Sequence, residues 1–196
     1  WPLVQVRDPD EVYAASASVE YIQQENSEHH RVLDWDLHNP RQSSPLGTGA
    51  PLARTYGILS TRGHNPIDVL RYKEYLQRVS GEEKTLKAFD DSGLMHSVIE
   101  DFPVKNRELL NLLGVRYFLQ PTDQKIKELD GRTPPFQFEG WEKRFVDPEP
   151  HGYDLEHGLV DLPSYTVYEN MQVLPRAFVV PHAEPLPDRP DLLPIL

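Results

Sequence analysis

The chain has 196 residues, 38% of them hydrophobic and 26% charged, and its 20 Lys and Arg against 31 Asp and Glu give a formal net charge of -11. The length is enough for one hydrophobic core, while the acidity argues against binding a nucleic-acid backbone or being drawn by charge to an anionic membrane surface. The absence of Cys excludes disulfides, thiolate catalysis and Cys-based zinc sites, and is compatible with any compartment.

The 19 prolines are roughly twice the average usage of about 5%, which predicts many irregular connections. Nothing at the start reads as a signal peptide, and there is no run of about 18 apolar residues. The start at Trp1 and the stop on RPDLLPIL read as cut ends, so the chain is expected to be a piece of a larger protein from which a membrane anchor has been removed.

RDPDEVYAASASVEYIQQENSEHH reads as one or two helices. Asp8 can cap, Pro9 suits a first turn, Val12, Val19 and Ile22 form a broken apolar stripe, and Ser16 or Ser18 can restart the helix. His29 and His30 beside Arg31 mark a helix end, where cations are favoured. RVLDWD (31–36) alternates as a short strand does. The Pro-, Gly- and Ser-rich run LHNPRQSSPLGTGAPLARTYG is a long loop, in its plainest reading a surface excursion.

HNPIDVLRYKEYLQRVSG is the best helix pattern. Asn65 is a favoured N-cap, Pro66 sits at the first helical position, and Val69, Tyr72, Leu76 and Val79 recur at three and four residues before Ser80-Gly81 ends it. EEKTLKAFDDSGLMHSVIEDFP is ambiguous. Next, VKNRELLNLLG carries Leu109, Leu110, Leu112 and Leu113 on a broad apolar face. Gly114 can adopt the left-handed conformation that stops a helix. The β-branched and aromatic VRYFLQ follows at once and ends at Pro121, so a helix packs directly onto the strand after it, as in a layered αβ unit.

FQFEGWEKRFVDPE reads as one strand or two. YTVYEN (165–170) and PRAFVV (175–180), joined by MQVL, read as a hairpin. These elements predict an α/β domain over residues 1–180, a mixed β-sheet with packed helices and a β-hairpin-rich C-terminal part. Residues 181–196, with five prolines, form an extended or linker-like tail.

Chemistry is sparse in this pattern. His151 and His157 bracket Asp154 and Glu156, but the spacing fits no known metal-ligand pattern, and a polar loop is the simpler reading. The carboxylate pairs in GLVDL, FDDSG and LDWDL read as solvated surface. There is no nucleophile elbow, P-loop or dinucleotide fingerprint, so no catalytic residue, metal ligand or cofactor is predicted. The best local binding hypothesis is the loop RTYGILSTRGHNP. Tyr56, Arg62, His64 and Asn65, near Arg54, precede a helix start whose free N–H groups suit a phosphate or a sugar hydroxyl. Capping with surface arginines is the plainer reading of the same residues.

Three segments in order carry a resemblance: Tyr56, Gly57, Ser60, Gly63 and Pro66; then Leu109 through Tyr117, with Gly114, Arg116 and Tyr117; then Tyr168, Glu169, Asn170, Leu174, Pro175, Arg176 and Ala177. With RVLDWD before them, the series resembles the extracytoplasmic soluble region of the YfhO-like family of bacterial polytopic membrane proteins, over roughly residues 15 to 180. His64 stands where that family usually has Tyr. The resemblance implies an integral-membrane, GT-C type glycosyltransferase. It would use polyprenyl-phosphate sugars on the extracytoplasmic (periplasmic) face, with its catalytic carboxylate in a loop outside this chain. It implies partners in the transmembrane part of the same chain and in a lipid-linked sugar or envelope glycan, with this region acting as acceptor-binding or structural cover. A cell-envelope scaffold domain is the alternative. Structural duties for the same motif are a helix stop at Gly114, a turn fixed by Pro175, and an ion pair between Glu169 and Arg176 across the expected hairpin.

Overall fold

The computed structural model describes residues 8, 10, 13–34, 44–46, 52–61, 63, 64, 72, 75, 76, 78, 79, 96, 97, 106–122, 139–154, 158–162 and 164–182. Within these, α1 spans Ala17–Glu25, α2 Leu52–Thr55 and α3 Arg107–Leu112. The strands are β1 (Arg31–Asp34), β2 (Leu59–Ser60), β3 (Gly63–His64), β4 (His96–Ser97), β5 (Val115–Pro121), β6 (Trp141–Asp147), β7 (His151–Asp154), β8 (Gly158–Asp161) and β9 (Tyr165–Asn170). Tyr72, Tyr75, Leu76, Arg78 and Val79 are also helical, as the sequence pattern predicts; Asn65 and Pro66, its expected start, lie outside the described residues.

The main sheet has the order β2-β1-β5-β9-β6. β1 runs parallel to both β2 and β5, whereas β9 is antiparallel to β5 and to β6. β3–β4 and β7–β8 are separate two-stranded antiparallel pairs. The expected mixed α/β sheet is therefore present.

Alternate side chains of the central strands enter two apolar layers. Val32, Tyr117, Leu119 and Val167 join Val19 and Ile22 of α1 and Ala53 of α2 on one face. Leu33, Val115 and Phe118 join Leu109 and Leu110 of α3 and Val79 on the other. A sheet covered on both faces needs strands that are apolar at successive positions, which is why VRYFLQ reads as a nearly continuous run. Burying a Leu or Phe side chain contributes about 1.5–3 kcal/mol, so these two layers are the main source of stability.

Local signals set several boundaries. Ser16 flanks α1 in an extended conformation, and its carbonyl accepts the N–H of Val19 and of Glu20. A free N–H in the first turn, that of Ser18, is taken by Asp147 Oδ2 at 2.8 Å, both residues being buried; the end of β6 thus caps a helix 129 residues away. Gly114 has φ +72° and turns α3 into β5. The Leu113 carbonyl freed there accepts Arg31 Nη1 at 2.6 Å.

The expected hairpin between YTVYEN and PRAFVV does not form. β9 hydrogen-bonds β5 on one edge and β6 on the other, so it has no free edge, and residues 175–180 run without strand structure. The C-terminal hairpin that does exist is β7–β8. FQFEGWEKRFVDPE contributes β6, and PLARTYG contains the short α2 inside the expected loop. The tail from residue 183 onward lies outside the described residues. Among the described residues, no helix is long and apolar enough to cross a membrane.

Candidate functional site

Because β1 and β5 are parallel and β9 opposes them, the beginnings of β1 and β5 and the end of β9 meet at one end of the sheet. The register is broken twice there. Arg31 pairs with Val115 but Val32 pairs with Tyr117, leaving Arg116 as an extra residue on β5. Lys143 pairs with Tyr168 but Phe145 with Val167, leaving Arg144 as an extra residue on β6. An inserted residue re-aims its side chain. Here the two inserted side chains are both arginines, and both reach the strand between them.

Their common target is Glu169. Arg116 Nε donates to its Oε1 at 2.8 Å and Arg144 Nε to its Oε2 at 2.6 Å. Burial works to raise the Glu169 pKa, but hydrogen bonds and charge from the two guanidiniums outweigh it and hold the carboxyl below its ordinary value. Asn170 beside it is buried and fully engaged. Its Nδ2 donates to Asn111 Oδ1 at 2.7 Å and to the Val115 carbonyl at 3.0 Å, and its Oδ1 accepts the Gln172 N–H at 3.0 Å. The end of β9 is thereby locked to α3 and to the start of β5.

Above this end of the sheet lies a cleft of about 390 Å³. Glu28 and His30 line it from the α1–β1 connection, Arg116 from β5, Glu169 and Asn170 from β9, and Met171, Val173, Pro175 and Arg176 from the segment after β9. Asn26 clamps the first wall, its Nδ2 donating to the His30 carbonyl at 2.8 Å and its Oδ1 accepting the His30 N–H at 2.9 Å. His29, inside that clamp, has φ +54°. Glu28 projects from it with its side chain 68% exposed, and one oxygen, Oε2, lies 2.9 Å from His30 Nε2 and 3.3 Å from Arg116 Nη1.

The chain matches no family model, no curated protein and no solved structure. The site therefore rests on its own geometry. Of the motif residues singled out in the sequence, Arg116, Glu169, Asn170, Pro175 and Arg176 line the cleft, and Gly114 lies beneath it: a Cβ there would come 3.7 Å from Arg176 Cγ and 3.9 Å from His30 Nδ1. Tyr117 and Tyr168 point away, Tyr117 into the layer under α1 and Tyr168 against the layer under α3. The Tyr117 hydroxyl reaches the Glu25 carbonyl at 3.3 Å, and burial pushes its pKa up to about 12.

The expected ion pair is revised. Glu169 does not pair with Arg176; its two oxygens are already held by the inserted arginines, and Arg176 Nη1 instead reaches the His29 carbonyl at 3.4 Å. In the RTYGILSTRGHNP loop, Tyr56 is half-buried, and its hydroxyl donates to the Ala14 carbonyl at 3.1 Å while its own carbonyl accepts Gln23 Nε2 at 2.8 Å. It ties α2 to α1. The backbone of His64 forms β3, and Arg62 and Asn65 lie outside the described residues. Asp34 of LDWDL is buried rather than solvated, with the Ser60 hydroxyl 3.5 Å away. His151 Nε2 lies 3.1 Å from the Ala14 carbonyl, and Glu156 and His157 lie outside the described residues; among those described, no group of three or more His, Asp and Glu is placed to hold a metal ion.

Sequence reading missed Glu28, His30 and Arg144 as site residues. Arg144 sits in a plain alternating run, WEKRFVD, and nothing local marks the extra residue that turns it toward Glu169.

Proposed function

We propose that this chain is a non-catalytic, ligand-holding module on the extracytoplasmic (periplasmic) face of a bacterial membrane. It would work with a transmembrane part of the same protein resembling a polyprenyl-phosphate-sugar-dependent glycosyltransferase. The single observation that carries the ligand-holding role is the convergence of two sequence segments on one cleft: GVRY around Arg116 and YENMQVLPRA from Glu169 to Arg176 lie far apart in the chain, yet both line it. Their arrangement suits holding rather than chemistry. General acid–base work needs a carboxyl that is free to exchange its proton near neutral pH. Glu169 is clamped ionised by two guanidiniums, so its part is to fix the arginines. The membrane context rests on the resemblance of the motif series.

A scaffold role is the second reading, favoured by one feature. Phe178, Val179 and Val180, directly after the cleft segment, are 52%, 95% and 54% exposed, which is unusual for three consecutive large apolar residues.

The test is an amide and arginine Nε–H NMR titration of the chain with short-chain polyprenyl-phosphate sugars and envelope glycan fragments. Saturable shifts at Gly114, Arg116, Asn170 and Arg176 are the expected result. No shift there at millimolar concentration overturns the ligand-holding role and leaves the scaffold reading.

A further inference from the structure

The charges around the cleft are balanced in an uneven way. Arg116 and Arg144 share Glu169, and Arg144 also meets Glu142 at 3.1 Å. Among the described residues, Arg176, exposed on the rim, has no carboxylate partner and one hydrogen bond, the long contact to the His29 carbonyl. The remaining anion is Glu28, and it is the least anchored of the group. Its side chain is 68% exposed, and it touches the cleft through a single oxygen. Exposed ion pairs of this kind are weak, so the carboxylate can leave at little cost.

The position Glu28 occupies is itself informative. One carboxylate oxygen sits between an imidazole nitrogen and a guanidinium nitrogen, a donor pair spaced for an oxyanion. His30 is buried, and its Nδ1 has no hydrogen-bond partner among the described residues, which favours the tautomer with the proton on Nε2, facing that oxygen. If Glu28 swings into solvent, the lining keeps two guanidiniums, Arg116 and Arg176, against the one carboxylate of Glu169. A single negative charge restores neutrality, and a dianion exceeds it. Met171, Val173 and Pro175, also in the lining, offer apolar surface to a small carbon skeleton.

We propose that the cleft binds a monoanionic carboxylate borne on a small ligand, which displaces Glu28 from His30 and Arg116 and is gripped from the rim by Arg176. This names the ligand class of the site described above and rests on its ligand-holding role. Glu28 then acts as an internal competitor: it raises the concentration of carboxylate needed to fill the arginine cleft, most for a ligand that makes no further contacts there.

The experiment titrates the chain with acetate, glucuronate, methyl glucoside and inorganic phosphate at constant ionic strength, following the Arg116 and Arg176 Nε–H signals and the amides of Gly114 and Asn170. Acetate and glucuronate are expected to saturate these signals, glucuronate at lower concentration. Glu28→Gln should tighten both by about three- to fivefold, the scale of a surface ion pair. Arg176→Gln, at an exposed position, should weaken both by at least about fivefold. Methyl glucoside binding as well as glucuronate overturns the carboxylate proposal and leaves the ligand-holding role standing. Phosphate binding more tightly than glucuronate, or indifference of acetate and glucuronate binding to both substitutions, overturns it in the same way. Silence of the cleft toward all four probes, and toward the polyprenyl-phosphate sugars and glycan fragments as well, overturns both.

Discussion

Arg116 and Glu169, 53 residues apart, meet on adjacent strands because β5 carries one residue more than its parallel partner β1 at that point. The extra residue is Arg116 itself. A second insertion, at Arg144 on β6, brings another guanidinium to the other oxygen of the same carboxylate. One acidic side chain on the strand between them thus pins two irregularities that would otherwise weaken the ladder.

Glu169→Gln keeps the shape and removes the charge, so it leaves two guanidiniums facing a neutral amide. Hydrogen bonds to charged groups contribute about 1.5–3 kcal/mol, and a loss of about that size is expected in chemical denaturation. A double-mutant cycle with Arg116→Met should show the two substitutions to be strongly non-additive. Additive losses would mean that the pair does not cooperate.

Acid should expose the same group. The Glu169 pKa is lower in the folded chain than its ordinary value of 4.5. The unfolded chain therefore takes up the proton first as pH falls. The stabilisation from Glu169 is complete above about pH 4.5 and is lost as pH drops through the depressed folded value. Unfolding free energies measured between about pH 6 and 3 should converge for the native chain and Glu169→Gln as the pH falls. A constant difference across that range contradicts the assignment.

Two glycines separate backbone strain from steric clash. At Gly114, with φ +72°, a Cβ would meet nothing nearer than 3.7 Å, so Gly114→Ala should cost only the left-handed strain, about 1–2 kcal/mol. At Gly140, with φ +86°, the Cβ would fall 2.9 Å from Gln172 Cδ. Gly140→Ala should cost at least as much, and adding Gln172→Ala should recover the steric part. Thermal midpoints of the three variants check this.

Asn170→Ala removes a side chain that serves three partners at the junction of α3, β5 and the segment after β9. It leaves the buried Val115 carbonyl with one donor fewer and should destabilise the chain by about 2–3 kcal/mol. Hydrogen exchange at the Gln172 amide should accelerate more than exchange in the centre of β9, since that amide loses its acceptor directly.

Much of the local structure was legible from residue order alone. RELLNLLGVRYFLQ specifies a helix, a left-handed stop at Gly114 and a buried strand, because propensity, apolar periodicity and the conformational freedom of glycine all act within a few residues. RVLD as β1 and YTVYEN as β9 follow from signals of the same short range, whereas Ser16, one of two serines able to restart α1, makes no side-chain cap and Asp147 supplies the acceptor to the first turn. Which edge each strand would find is a different kind of quantity. PRAFVV has the composition of a strand and is left unpaired because β5 and β6 occupy both edges of β9, a competition decided by contacts across the whole sheet. The tertiary structure likewise placed the two inserted arginines, gave Glu169 partners other than Arg176, and set Glu28 and His30 over Arg116. A register shift of one residue re-aims a side chain without changing the composition of its strand, so the charge cluster that defines the cleft has no local signature.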